Sequence, residues 1–254
     1  MIPLPSAFLD RPLAHRGLHD VTDGRPENSR AAIQAAIAHG FGIELDVQGS
    51  ADGAAMVFHD YDLGRLTGSD GAVALRARDD LSAIQLTGGD EGIPDLPEVL
   101  DLVAGQVPLL IEIKDQDGAM GPNVGPLETA VAAALETYNG PVALMSFNPH
   151  AVAKMTELCP DRPRGLVTSS YDPADWPLDA ATCARLRDIP DFDRTGSSFI
   201  SHEAHDLDRA RVAELKAAGA NILCWTIKSA AQEADARKVA QNVTFEGYLP
   251  QHPA

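Results

Sequence analysis

Residues 42–47 read GIELDV, an apolar run that carries carboxylates at Glu44 and Asp46. Side chains alternate between the two faces of a β-strand, so these two acids would share one face and Leu45 would lie on the other. Two like charges on one face repel each other unless a cation or a proton lies between them. The run therefore predicts a strand that ends at a site for a hard divalent cation.

Seven further apolar runs of strand length occur along the chain, and helix-period segments separate most of them. The eight strand candidates are PLAHRG (12–17), GIELDV (42–47), PLLIEIK (108–114), VALMSF (142–147), GLVTS (165–169), SFISHE (198–203), ILCWTI (222–227) and TFEGYL (244–249). Helical periodicity covers residues 29–39, 126–138, 149–158, 208–218 and 230–241. This alternation predicts βα units, which could close into a barrel or form an open doubly wound sheet.

One gap between strand candidates is unusually long. About sixty residues lie between GIELDV and PLLIEIK, roughly twice the length expected for one βα repeat. The gap contains MVFHD (56–60), the Gly- and Asp-rich stretch DLGRLTGSDGA (62–72) and PDLPE (94–98), which opens a further helix. We expect a small inserted subdomain at about residues 50–95, over one end of the sheet.

Composition restricts the class of protein. The 254 residues are 44% hydrophobic and 22% charged, which suits one large α/β domain with a buried core. The formal net charge of −17 would repel a phosphate backbone, so the sequence argues against nucleic acid as a partner. A phosphate ester could bind only where a metal ion or a few basic groups offset this charge. Cys159, Cys183 and Cys224 are far apart, which argues against a disulfide framework and a thiolate zinc site.

The chain shows no targeting or membrane signal of the usual kinds. Residues 1–12, MIPLPSAFLDRP, lack a basic segment and a sustained apolar stretch, and no run of about 18 apolar residues occurs elsewhere. We expect a cytoplasmic protein without a membrane span. The sequence leaves a homo-oligomer open.

A third acid accompanies the pair in GIELDV. Glu112 lies near the end of the apolar run LLIEI, and the ends of parallel strands converge at the carboxyl face of a barrel, where barrel enzymes keep their sites. Each acid taken alone could be a solvated charge at a strand end. Three acids within apolar strands are poorly explained in that way, so Glu44, Asp46 and Glu112 are the candidate metal ligands.

Two histidines lie at the ends of strand-like segments. His15 closes the first strand candidate and His59 ends the run MVFH. Imidazole exchanges protons near neutral pH, so this pair would suit acid and base catalysis of phosphoryl transfer. Each histidine taken singly could be structural. The other six histidines, including His19, His39 and His252, have no comparable context, and we interpret them as structural.

Two cations and one aromatic residue complete the candidate set. Arg16 follows His15, and Lys114 lies two positions after Glu112, on the same strand face. Both could bind phosphate oxygens or could be salt-bridge partners of the acids. Trp225, within ILCWTI, could form a substrate-binding wall or belong to the core.

Several of these segments together resemble the glycerophosphodiester phosphodiesterase family. In chain order they are LAHRG (13–17), PENS (26–29), GIELDVQGSADGAAMVFHD (42–60), DLGRLTG (62–68) and LLIEIK (109–114). SFNPHAV (146–152) and CWTIKS (224–229) are similar to later strands of that family. The resemblance is dense in the first half of the chain and depends on the spacing between the motifs.

The resemblance implies a single-domain (β/α)8 TIM barrel over residues 1–254, with a small insertion after the second strand. By position, Glu44, Asp46 and Glu112 match the family's ligands for a divalent metal ion, which would be Mg²⁺ or Ca²⁺. His15 and His59 match its acid and base histidines. The match also places Arg16 and Lys114 in contact with phosphate.

The chain also departs from the family pattern. Ser29 replaces the usual threonine, a change that keeps a capping hydroxyl. The closing run TFEGYL lacks the aspartate of the family's final Gly-x-x-x-Asp-x-Pro stretch. Residues 170–195, which include Trp176, match no family motif, and a role in substrate access stays open.

The implied activity is hydrolysis of a small-molecule phosphodiester. The substrates would be glycerophosphodiesters, the deacylated head groups of phospholipids, and the products would be sn-glycerol 3-phosphate and an alcohol, which belong to lipid and glycerol metabolism. Two alternatives stay open: a phosphodiesterase that resembles lysophospholipase D, and a non-catalytic barrel that binds metal and phosphate. The sequence decides neither the head group nor which histidine is the base.

Overall fold

The computed structural model describes residues 1–251, and its nine strands form one sheet. The strands are β1 (Leu13–His15), β2 (Gly42–Gly49), β3 (Ala55–Val57), β4 (Leu109–Ile113), β5 (Val142–Ser146), β6 (Arg164–Thr168), β7 (Phe199–Glu203), β8 (Asn221–Ile227) and β9 (Asn242–Phe245). β1 pairs in parallel with both β2 and β9, which closes the sheet. All strands except β3 are parallel, so the eight of them form a TIM barrel, and the predicted fold class is confirmed.

Helices connect the barrel strands on the outside. They are α1 (Ala7–Asp10), α2 (Arg30–Ala38), α3 (Arg78–Ala83), α4 (Leu96–Val103), α5 (Pro126–Leu135), α6 (Pro149–Leu158), α7 (Ala180–Arg187), α8 (Ala210–Ala217) and α9 (Ala230–Ala236). Side-chain caps explain several starts: the Ser29 hydroxyl accepts from the backbone N–H of Ala32, and the Asn148 side chain accepts from that of His150. No helix of the described chain is long and apolar enough to span a bilayer.

Two local predictions need correction. The last strand ends at Phe245, so Glu246 and the residues after it leave the sheet and do not continue a strand to Leu249. Helix α7 lies within residues 170–195, for which no helix was predicted. Only Cys183 and Leu186 of its eight residues are buried. A helix with so few apolar contacts needs no amphipathic pattern, so its sequence gives little sign of it.

Successive side chains of the barrel strands point alternately into the barrel and toward the outer helices, so they pack in two separate apolar cores. One cluster fills the barrel interior and includes Leu13, Leu110, Ala143, Val167, Phe199 and Leu223, with Phe8 of α1. The larger cluster lies between the strands and the outer helices. Leu110 and Glu112 lie on the same face of β4, so the interior of the barrel changes from apolar to acidic toward the carboxyl ends of the strands.

The segment between β2 and β4 has its own apolar cluster. β3 pairs in antiparallel fashion with the end of β2, and residues Met56, Phe58, Leu63, Val73, Leu81, Leu86 and Ile93 pack together. This cluster is distinct from the two barrel cores. The interpretation of residues 50–95 as an inserted subdomain stays a prediction.

The turn after β1 requires glycine for two reasons. Gly17 has a φ of 77°, a conformation that costs little only without a side chain. A Cβ at this position would lie 2.9 Å from the carbonyl carbon of Ala32, in α2. The backbone N–H of Gly17 donates to the carbonyl oxygen of Glu44 at 3.2 Å, so the turn connects β1 with β2 and packs against α2.

We expect Gly17→Ala to lower the free energy of unfolding by about 2–4 kcal/mol, because it combines a left-handed backbone with overpacking. Gly24→Ala is the matched control, since Gly24 has a φ of 69° and a Cβ added there would meet no atom within 4 Å. That control should cost about 1–2 kcal/mol. Urea unfolding would measure both values, and equal costs would contradict the packing argument.

Candidate active site

Three buried carboxylates meet at the carboxyl ends of β2 and β4. Asp46 and Glu112 are directly opposite each other in the parallel ladder, and Glu44 lies two residues before Asp46 on the same strand face. The three residues are 1–6% exposed, and ligand oxygens from all three lie within 4.8 Å of one another. The structure thus brings the three candidate ligands into one cluster.

Two basic residues contact this cluster. Lys114 Nζ lies 3.0 Å from Asp46 Oδ1 and 2.8 Å from Glu112 Oε1. Arg16 donates its backbone N–H to Glu44 Oε2 at 3.1 Å, and its Nε lies 3.4 Å from Asp46 Oδ2. Both cations therefore form ion pairs with the acids, which was one of the two roles predicted for each of them; the other was phosphate binding.

The pKa of Asp46 is lowered in this cluster, whereas burial raises the pKa values of Glu44 and Glu112. Burial opposes ionisation of Asp46, but the charges of Lys114 and Arg16 hold its pKa well below the usual range. Burial and then the charges of Asp46 and Glu112 raise the pKa of Glu44 well above its ordinary value. The three acids of the cluster also outnumber the two cations that contact them, and one of these cations, Arg16, is shared with Glu27.

The cluster fits a divalent metal ion. Glu44, Asp46 and Glu112 offer only oxygen donors, which hard cations such as Mg²⁺ and Ca²⁺ prefer. Burial and the neighbouring acids raise the pKa of Glu44, so its ionised form is favourable only with more positive charge nearby. A metal ion would supply that charge in place of a proton.

Asn28 is a site residue that the sequence analysis did not single out. It is 1% exposed, and its Nδ2 donates to Asp46 Oδ2 at 3.0 Å. Its backbone has a φ of 58°, which asparagine tolerates better than most residues. The signal was present in PENS (26–29), but only as part of the family resemblance.

His59 lies beside this cluster and is held by an acid. Its Nδ1 lies 2.6 Å from Asp60 Oδ1, and the other oxygen of Asp60 accepts from Arg65 Nε at 2.6 Å. Burial is the largest influence on His59, and with the charges of Lys114 and Arg16 it lowers the pKa to about 4. The imidazole is therefore neutral at pH 7.

His15 has a carboxylate partner from the other end of the chain. Its Nδ1 lies 2.5 Å from Glu246 Oε2, and Glu246 also lies near His19 Nε2, at 3.6 Å, and Lys228 Nζ, at 2.8 Å. The hydrogen bond from His15, with His19 and Lys228 nearby, holds the pKa of Glu246 far below its usual range. Glu246 was not predicted as a site residue, because its position was expected inside the last strand, and His19 was expected to be structural.

One cavity joins these groups. Its volume is about 90 Å³, and its lining includes His15, Arg16, Glu44, Asp46, His59, Glu112, Lys114, Met145, Phe147, Val167, Ser201, Trp225, Thr226 and Thr244. All eight candidate site residues are among them. Trp225 lines the cavity, and its Nε1 donates to the carbonyl oxygen of Ser201 at 3.0 Å. It therefore forms part of the cavity wall and is also fixed by contact with the barrel.

Comparisons with known proteins identify the family to which this chain belongs. The model of the glycerophosphoryl diester phosphodiesterase family matches residues 15–244. A glycerophosphodiester phosphodiesterase of Caldanaerobacter subterraneus subsp. tengcongensis is 31% identical over 165 residues, which cover 61% of this chain and 65% of that relative. The protein YhdW of Bacillus subtilis is 26% identical over 252 residues, or 95% of this chain and 94% of YhdW.

Solved structures show the same fold. A phosphodiesterase of Oleispira antarctica, solved in complex with the product sn-glycerol-3-phosphate, superposes with a TM-score of 0.77 at 24% identity, over 94% of each chain. A glycerophosphodiester phosphodiesterase of Thermotoga maritima superposes with a TM-score of 0.69 at 22% identity, over 92% of each chain.

Replacement of one acid of the cluster should weaken metal binding. We expect Glu44→Gln to weaken binding of Mg²⁺ or Ca²⁺ roughly tenfold or more, measured by calorimetric titration of the metal-free protein. Glu136→Gln, at an exposed position on the end of α5, is the matched control and should bind as the wild type does. Affinity should also fall as pH falls, because protons compete with the metal for Glu44.

The same titration needs a check on folding. Gln at position 44 keeps an acceptor for the backbone N–H of Arg16 and removes a repelling carboxyl group. The metal-free variant should therefore melt at or above the wild-type temperature. Wild-type affinity in a folded Glu44→Gln variant would contradict the assignment of this acid as a ligand.

The ionisation of His59 can be tested directly. In the metal-free protein, NMR titration of its ring should show a neutral imidazole at pH 6 and a pKa near 4. Asp60→Asn should lower that pKa further, because the Asp60 carboxylate favours the imidazolium ion. Since the unfolded chain binds this proton at higher pH, the contribution of His59 to stability should fall as pH drops from about 6.5 to 4. A ring that titrates near 6.5 would refute the predicted shift.

Proposed function

We propose that this chain, which belongs to the glycerophosphoryl diester phosphodiesterase family, hydrolyses glycerophosphodiesters to sn-glycerol 3-phosphate and an alcohol. One observation carries the proposal: a single cavity is lined by three buried acids, two cations and two histidines. Each histidine also has a carboxylate at Nδ1. This combination suits transfer of a phosphoryl group to an oxygen nucleophile better than any other chemistry of these residues.

Phosphate binding would use the cationic side of the cavity. Arg16 and Lys114 are 15% and 10% exposed and line the cavity beside the acids. Arg16 Nε has no hydrogen-bond partner within the described chain, although it is buried. A phosphate oxygen would satisfy that donor.

Glu44, Asp46 and Glu112 would hold a divalent metal ion. When bound, Mg²⁺ or Ca²⁺ would offset the phosphate charge and polarise the phosphorus for attack. The net charge of the whole chain, −17, makes such local compensation necessary for an anionic substrate. Asn28 would position Asp46 through its hydrogen bond to Oδ2.

The two histidines would move the protons. A carboxylate at Nδ1 favours the tautomer with the proton on that nitrogen, which leaves Nε2 free to accept one. One imidazole would take the proton of the attacking hydroxyl as the new P–O bond forms. If that hydroxyl comes from water, glycerol 3-phosphate forms directly. If it is a neighbouring hydroxyl of the substrate, a cyclic phosphate forms, and water would then open it to glycerol 3-phosphate. The other, in its protonated form, would donate to the leaving alcohol as the old P–O bond breaks.

A series of ion pairs would hold Arg16 of the phosphate site and His59 in fixed positions relative to each other. Arg16 donates from Nη1 to Glu27 Oε1 at 2.6 Å, and Arg65 donates from its own Nη1 to Glu27 Oε2 at 2.9 Å. Arg65 also donates to Asp60, which contacts His59. The fixed geometry would lower the cost of orienting the phosphodiester against the imidazole.

Both histidines should be needed for activity. His15→Ala and His59→Ala should each lower kcat by roughly 10²-fold or more, as expected on removal of a general acid or base. Glu246→Gln should lower kcat roughly tenfold, because it keeps an acceptor for His15 but loses the charge. The assay is release of glycerol 3-phosphate from glycerophosphocholine with Mg²⁺ present.

His205→Ala is the control, because His205 is exposed and lines neither this cavity nor the adjoining one. Removal of metal by EDTA should abolish activity, and added Mg²⁺ or Ca²⁺ should restore it. Full activity in EDTA would refute the metal requirement. Cleavage of a lysophospholipid in place of glycerophosphocholine would favour the alternative that resembles lysophospholipase D.

A further inference from the structure

A second and larger cavity opens directly beside the candidate active site. Its volume is about 610 Å³, and we call it the side groove. Its lining shares five residues with the smaller cavity: His59, Glu112, Lys114, Phe147 and Trp225. A substrate whose phosphate lies at the acid cluster would therefore extend one of its two alcohol portions into this groove.

Aromatic rings form much of the wall of the side groove. Trp176 packs on Phe147 with ring centroids 5.1 Å apart, and Phe147 packs edge-on against Trp225 at 5.6 Å. Tyr61, which is 52% exposed, also lines the groove. Trp176 comes from residues 170–195, the segment that matches no family motif. The groove is thus lined by aromatic residues from separate parts of the chain.

The charges that line the side groove are mostly negative. Asp60, Asp62, Asp115 and Asp175 contribute carboxylates. Among the described residues that line the groove, Lys114 is the only lysine or arginine. Its ammonium group forms ion pairs with Asp46 and Glu112. The potential in the groove therefore favours a cation.

Two of these four acids already have partners. Asp60 is paired with Arg65 and His59, at 2.6 Å each. Asp115 accepts from three backbone N–H groups and from Asn148 Nδ2, which hold the loop after β4.

The other two acids keep their charge available. Asp62 and Asp175 are exposed, and within residues 1–251 neither carboxylate has a hydrogen-bond or ion-pair partner. They lie in different segments of the chain and both line the groove. Their charges remain available to a ligand.

We propose that the side groove binds the alcohol portion of the substrate and selects a positively charged one, such as a trimethylammonium or ammonium ethyl group. Aromatic faces attract such cations through their quadrupoles, and unpaired carboxylates add Coulomb attraction. A neutral polyol gains neither interaction. An acyl chain would bury the same carboxylates against hydrocarbon, which is unfavourable. This inference rests on the proposed function.

The experiment compares substrates that differ only in the charge of one alcohol. Values of kcat/KM are measured with Mg²⁺ for glycerophosphocholine, glycerophosphoethanolamine and glycerophosphoglycerol. We expect the wild type to prefer the two cationic substrates over the neutral one by roughly tenfold or more, on the scale of a desolvated cation–π contact plus ion pairing.

Variants locate the source of the preference. Trp176→Leu should lower the ratio of kcat/KM for the choline over the glycerol substrate by roughly fivefold or more, and Trp176→Phe should retain most of it. Asp62→Asn with Asp175→Asn should also lower the ratio, by about threefold or more. The matched control is Asp101→Asn, an exposed acid on α4 outside the groove, which should keep the wild-type ratio.

The outcomes separate the two proposals. Equal kcat/KM for all three substrates, or a ratio that the groove variants do not change, would overturn the side-groove assignment and leave the hydrolase function standing. If none is hydrolysed, the proposed function is wrong. Calorimetric titration with glycerophosphocholine and glycerophosphoglycerol then decides the groove separately. Tighter binding of the cationic compound that is lost in Trp176→Leu supports the groove assignment, and equal binding refutes it.

Discussion

The mutual repulsion of three buried carboxylates is the constraint on which the site depends. Glu44, Asp46 and Glu112 lie within 4.8 Å of one another, almost without exposure to water. Such a cluster is tolerable only with positive charge beside it, because burial removes the solvent that would otherwise screen the acids. Arg16 and Lys114 supply part of that charge, and a metal ion would supply the remainder.

Barrel closure supplies the other parts of the site. β1 pairs with β9, so the residues that follow the first and last strands become neighbours, and His15 meets Glu246. His59 arrives from the segment between β2 and β4 and has its own acid, Asp60. Two imidazoles with similar partners thus lie in one cavity, although they come from unrelated parts of the chain.

The local patterns predicted much of this, because they depend on neighbouring residues. Alternation in GIELDV placed Glu44 and Asp46 on one face, and each of the eight apolar runs overlaps a barrel strand. The last strand was drawn too long, because TFEGYL continues the apolar pattern past Phe245, where the chain leaves the sheet. Helix α7 was missed since a helix with so few buried residues has little periodicity to detect.

The sequence by itself determined the strands, most of the helices and the types of side chain at the strand ends, since these follow from short-range periodicity and chemistry. Only the tertiary structure decided which of those side chains meet. Glu246 contacts His15 across 231 positions, and the side groove draws Tyr61, Trp176 and Trp225 from distant segments. Such meetings depend on strand register and on closure of the barrel, which no local pattern encodes.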